Sequence, residues 1–213
     1  GVLRGAYDEQ ILRLGAWMIK AHRPVYLRIG YEFDGPHNHY DPAVYQKAYR
    51  YIVDKLRRQK VDNVAYVWHS YAGYISRPLD DWYPGNDYVD WVAISYFSSG
   101  TKYTDGVVAF ARSRRKPLMI AESTPRGIGT RHADYALQRW FEPFFTFIAV
   151  NRVKAVCYIN ADWDAFAMWR GQGWRDAGIQ KNQKVKNRWI QEIGKRGYLH
   201  ASPGLYRRLG YQK

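Results

Sequence analysis

Five apolar runs alternate along this chain with segments of helical pattern, and that rhythm limits the fold more than any other feature. The runs fall at residues 25–30, 64–68, 91–96, 117–122 and 153–160. Each is apolar nearly throughout rather than at every second position, which is the pattern of a strand covered on both faces. Between them, residues 8–22, 42–60, 105–115, 134–150 and 182–193 read as helices. In the first, Ile11, Leu12, Leu14, Trp17, Met18 and Ile19 form one broad apolar face. Asp41 is placed as the N-cap of the second, with Pro42 in its first turn. Pro143 should bend the fourth. Strands alternating with helices define an α/β fold with a parallel sheet. A complete eight-stranded (β/α)8 TIM barrel takes about 250 residues. This chain has 213 residues and five strands. If the fold is such a barrel, the expectation is a single domain over residues 1–213, a TIM barrel incomplete at its N-terminus and holding roughly strands 4 to 8.

Bulk properties narrow the function classes. No apolar run is long enough to cross a bilayer. The single cysteine, Cys157, excludes an intrachain disulfide and a cysteine-based metal site, and is read as a small core residue. The net charge of +14 comes from 33 Lys and Arg against 19 Asp and Glu. These charges are scattered, as at Arg57-Arg58, Arg114-Arg115-Lys116 and Arg207-Arg208, without a basic stripe or a nucleic-acid motif. They read as a solvated surface. An anionic polysaccharide is the partner such a surface would suit, and neither nucleic acid nor a membrane is expected.

Two of the apolar runs lead into a glutamate. One is Pro24-Val25-Tyr26-Leu27-Arg28-Ile29-Gly30-Tyr31-Glu32, the other Pro117-Leu118-Met119-Ile120-Ala121-Glu122. Carboxylates at the C-terminal ends of barrel strands lie where such folds keep their chemistry. Strand alternation puts Arg28, Gly30 and Glu32 on one face, and groups Leu118, Ile120 and Glu122 in the same way. Two glutamates converging from non-adjacent strands suit a retaining glycosidase, which needs its acid/base and nucleophile about 5 Å apart. Tyr96, at the end of the intervening strand, is placed to give a phenolic hydrogen bond, and Arg28 to supply positive charge below the site. Nine Trp, 19 Tyr and 8 Phe, many of them in loops, supply the flat surfaces on which sugar rings stack.

Residues 20–35, 61–68, 82–96, 116–122 and 153–160 together resemble glycoside hydrolase family 26, the β-mannanases and related endo-acting enzymes of the retaining barrel clan. The resemblance implies that Glu32 is the acid/base and Glu122 the nucleophile, with Tyr96 as the tyrosine that contacts the nucleophile. Trp68 matches a tryptophan at the end of the fifth barrel strand. Two positions depart from the pattern. Tyr31 stands where the family usually has histidine, and Tyr158 where it has the tryptophan that floors the cleaved sugar's site. Arg28, Tyr31, Trp68, Tyr158, Asn160 and Trp163 are the candidate substrate contacts. The implied substrate is a polysaccharide or oligosaccharide, hydrolysed by double displacement with no metal and no cofactor. The implied location is extracellular or periplasmic, with any signal peptide outside this chain. A carbohydrate-binding barrel without catalysis is the alternative. A metal-dependent hydrolase built on His37, His39 and His69 lacks further ligands at regular spacing.

Overall fold

The computed structural model describes residues 1–73, 77–98 and 102–210. Among these residues, five parallel strands form one sheet in sequential order: β1 (Val25–Arg28), β2 (Val64–Ser70), β3 (Trp91–Tyr96), β4 (Leu118–Ser123) and β5 (Ala155–Val156). The helices are α1 (Asp8–Ala21), α2 (Pro42–Arg58), α3 (Lys102–Ser113), α4 (Ala133–Ala136), α5 (Glu142–Val150), α6 (Gln183–Ile193) and α7 (Leu205–Arg208). The sheet curls into a half-barrel. Its curvature brings the rings of Tyr26 on β1 and Trp91 on β3 edge to face, 5.0 Å apart, across the strand between them.

Strand alternation divides the core into two layers. Leu27, Tyr66, Trp68, Val92, Ile94, Leu118 and Ile120 face the helices. Val67, Ala93, Met119 and Ala121 form a small apolar layer on the concave face. α2 presents Tyr45, Tyr49, Val53 and Leu56 to the sheet at successive turns, all buried. Each such side chain contributes about 1.5–3 kcal/mol of burial. The Asp41 side chain accepts from the amide of Val44 at 2.9 Å, so the expected N-cap forms.

The expected fourth helix is divided. α4 runs into a π turn over Leu137–Phe141, and α5 follows at once. Pro143 has no N–H to give to the preceding turn, and the wider turn absorbs that missing bond. Trp140, Phe141 and Phe144 are fully buried around this bend.

β5 is shorter than the expected 153–160 as a regular strand, although its backbone follows β4 for longer. Lys154, Cys157 and Ile159 donate to Leu118, Ile120 and Ser123 at 2.8–2.9 Å. Among the described residues it is the last strand of the sheet and pairs with β4 alone. This also overturns the expectation that Cys157 is a core residue, because the thiol is exposed on the uncovered concave face.

Candidate active site

Glu32 reaches the concave face by a turn, not by strand alternation. β1 ends at Arg28, and Gly30 (φ 58°) and Glu32 (φ 49°) both take left-handed backbone. A Cβ on Gly30 would come within 2.7 Å of the Tyr45 ring, so glycine is required there. For glutamate this conformation is unfavourable and must be held from outside. Phe33 does so by stacking on Trp68 with ring centroids 4.2 Å apart, and its amide donates to the His69 carbonyl. Asp34 does so by accepting from the Ser70 hydroxyl and the Tyr71 amide, both at 2.6 Å.

Glu122 arrives by a different irregularity. Ile94 pairs with Ile120, but the next pair is Ser95 with Glu122, so β4 carries one extra residue, Ala121. This bulge breaks the expected common face of Leu118, Ile120 and Glu122. Leu118 and Ile120 pack against the helices, while Glu122 turns to the concave side and forms an ion pair with Arg28.

The two carboxylates have unlike surroundings. Glu32 is 5 % exposed, and the Ser95 hydroxyl donates to its Oε1 at 2.5 Å. His37 Nε2 lies 2.9 Å from its Oε2. Burial raises the Glu32 carboxyl above its ordinary range, partly opposed by the Ser95 hydrogen bond, with the Glu122 charge adding to the rise. Glu122 has the guanidinium of Arg28 as its partner and remains partly open. Arg28 Nη1 also lies 3.2 Å from Nδ1 of His69, whose Nε2 lies 3.0 Å from the Ser95 hydroxyl. His69 is fully buried, and burial together with the neighbouring Arg28 charge holds its imidazole well below its usual range.

Of the candidates read from the sequence, Glu32, Glu122 and Arg28 come together. Tyr31 is 46 % exposed on the loop beside them, near His37. Trp163 donates at 3.2 Å to the hydroxyl of Thr124, two residues beyond Glu122, and packs with Trp169 and Trp174. Four others occupy different places. The ring of Tyr96 lies on the helix side of the sheet among Trp140, Phe144 and Phe147, and Ser95 holds the concave position instead. Trp68 is fully buried behind the sheet, against Phe33, Tyr83 and Phe110. Tyr158 packs on Trp140, Phe141 and Trp189, and its hydroxyl donates to the Ala177 carbonyl at 2.7 Å. The Asn160 amide is occupied by the Ile179 N–H and Gln180. The last two therefore fasten the loop that carries Trp163.

Ser95 and Cys157 were not legible as site residues, since nothing in their local pattern marks them, and His37 was legible only as a candidate metal ligand. His69 was legible only as a candidate metal ligand, a role its position between Arg28 and Ser95 does not support. A cavity of about 520 Å³ around Pro117, Leu118 and Arg152 lies at the other end of β4 from Glu122 and is not part of this site.

A parallel α/β half-barrel with two glutamates at the C-terminal ends of its strands is an arrangement of barrel hydrolases. Residues 22–130 match the family model for glycosyl hydrolase family 26. The chain belongs to that family. It is 33% identical to a β-1,3-xylanase, TXYA, from a Vibrio species, over 99% of this chain and 52% of that protein. It is 32% identical to a β-1,3-xylanase from an Alcaligenes species, over 99% of this chain and 51% of that protein. The chain thus spans about half the length of these relatives. Its fold is similar to that of a family 26 β-mannanase from Bacteroides ovatus, with a TM-score of 0.65 at 15% identity, over 90% of this chain and 58% of that one.

Proposed function

We propose that this chain carries the catalytic pair of a retaining endo-β-glycosidase acting on a β-1,3-linked xylan. The observation that carries the reading is the asymmetry of the pair. Glu32 is buried, and its carboxyl is raised by that burial. Glu122 stands in an ion pair with Arg28. An acid must hold its proton at the working pH, whereas a nucleophile must be an anion, and unlike surroundings divide the two roles. In the first step Glu32 gives its proton to the leaving glycosidic oxygen while Glu122 attacks the anomeric carbon, and a glycosyl ester forms as the old bond breaks. In the second step Glu32 takes a proton from water, and that water displaces Glu122. Tyr31 and Trp163 are the proposed sugar contacts.

The choice of polymer rests on the two relatives named as β-1,3-xylanases, which align with nearly the whole chain. The structural neighbours support the barrel alone. A polysaccharide cannot cross a membrane unaided, so an extracellular or periplasmic location goes with this reading.

The test is product release from β-1,3-xylan, β-1,4-xylan and β-1,4-mannan, with Glu32→Gln and Glu122→Gln as controls. Oligosaccharides from β-1,3-xylan are expected, with losses of about 10²–10⁴-fold or more in each variant. Release from mannan alone would overturn the choice of polymer. Binding without release would favour a non-catalytic carbohydrate-binding barrel.

A further inference from the structure

We propose that His69 and Ser95 are positioning residues that confine the transferable proton of Glu32 to Oε2, through a one-way hydrogen-bond chain that starts at Arg28. The inference rests on the reading of Glu32 as the acid/base.

Every link in the chain has one permitted direction. A guanidinium has only donors. Nη1 of Arg28, 3.2 Å from Nδ1 of His69, therefore makes that nitrogen an acceptor. A neutral imidazole then carries its single hydrogen on Nε2, which donates to the Ser95 oxygen at 3.0 Å. The Ser95 hydroxyl has one hydrogen left to give, and it goes to Oε1 of Glu32 at 2.5 Å. If the carboxyl proton sat on Oε1, the Ser95 oxygen would have to accept from both His69 and Glu32. Its own hydrogen would then lose its acceptor inside a buried site, which is costly. Oε1 is thus kept as an acceptor, and the acid proton belongs on Oε2. In this structure Oε2 faces Nε2 of His37 at 2.9 Å. In a substrate complex it would face the leaving oxygen.

The same Arg28 nitrogen donates to Glu122, so one NH2 group serves both halves of the pair. The groups that act on Glu32 directly are His37 from its own loop, Ser95 on β3 and the charge of Glu122 on β4, while His69 on β2 reaches it through Ser95 and Arg28 on β1 through His69 and Glu122. Asp34, two residues on, is turned to Ser70 and Tyr71, and Cys157 lies beside Arg28 and Glu122.

The first test needs no turnover. In the ¹⁵N spectrum of the full chain, His69 should be the Nε2–H tautomer across the range in which exposed histidines titrate. A ¹³C titration should show the Glu32 carboxyl moved upward by Ser95→Ala and restored by Ser95→Thr. An Nδ1–H tautomer, or an unmoved Glu32 in Ser95→Ala, would overturn the chain. The second test is kinetic. On aryl glycosides with poor leaving groups, Ser95→Ala should lose about tenfold or more in kcat/KM, a part of what acid catalysis supplies. Dinitrophenyl glycosides, which leave without protonation, should be spared, and Ser95→Thr should recover most of the loss. Glu32→Gln must show the same leaving-group contrast. If it does not, the acid/base reading fails. If it does and Ser95→Ala does not, the positioning role alone fails.

Discussion

Ser95 faces Glu122 across the β3–β4 pair, one residue out of step with the pairing of Ile94 and Ile120 just before it. The shift at Ala121 is what turns a carboxylate that simple alternation would aim at the helices toward the concave face. It also sets Ser95 beside both glutamates, since its hydroxyl reaches Glu32 while its backbone position opposes Glu122.

The two glutamates should respond differently to chemical rescue. With a small residue at Glu122, azide should attack from the vacated side and yield a glycosyl azide of inverted configuration. At Glu32 the rescued product should keep its configuration, because the nucleophile is still present. Product stereochemistry by NMR distinguishes them, and the opposite assignment of outcomes would reverse the roles.

Glu32 should cost stability at neutral pH. Burial is the main cause of its raised pKa, so between the ordinary and raised values the folded chain holds more protons than the unfolded one. Stability then falls as pH rises through that window, and the penalty persists above it. Glu32→Gln should raise Tm near pH 7, by about 2–4 °C for each kcal/mol relieved in a chain of this size, and raise it less near pH 4. An equal effect at both pH values would show that the gain is not electrostatic.

Tyr158→Phe removes the hydroxyl that holds the Ala177 carbonyl. The expected loss is about 1 kcal/mol of stability, with kcat nearly unchanged and thermal melting as the measurement. A large drop in kcat at unchanged Tm would mean that the Tyr158 hydroxyl acts on the substrate instead of the loop.

Trp68→Ala should destabilise the chain by about 3–5 kcal/mol, because it opens a cavity among Phe33, Tyr83 and Phe110. Removing the stack under Phe33 also loosens the turn that presents Glu32. Trp68→Phe should keep most of both functions. Denaturant unfolding measures the first effect, and a variant of wild-type stability would contradict the buried placement.

Cys157 should react with a thiol reagent in the native state, since it is exposed on the concave face. Partial burial pushes its thiol up, with Arg28 opposing and Glu122 adding to the rise. Labelling should therefore be slow at neutral pH and quicken as pH rises through the thiol range, because the thiolate is the reactive form. A native chain that resists labelling throughout would place the thiol in the core after all.

Local pattern was enough for the α/β class, for five strands in chain order and for the helices between them, apart from the π turn that divides the fourth. Those features follow from local periodicity and end signals such as Asp41 and Pro42, which act over a few residues. It also singled out Glu32, Glu122 and Arg28, because each stands at or just beyond the end of an apolar run. Tertiary structure alone decided which neighbouring side chains join them. A bulge at Ala121 and a left-handed turn at Gly30 and Glu32 shift a side chain from one face to the other, and a two-residue period cannot register either. Along β2 and β3 the alternation is regular, and His69 and Ser95 follow Val67 and Ala93 onto the concave face while Trp68 and Tyr96 face the helices; only the folded sheet shows which face holds the glutamates. Tyr158 and Asn160 became loop anchors because their partners, Ala177, Ile179 and Gln180, are about twenty residues away and meet them only after β5 and its loop have folded back.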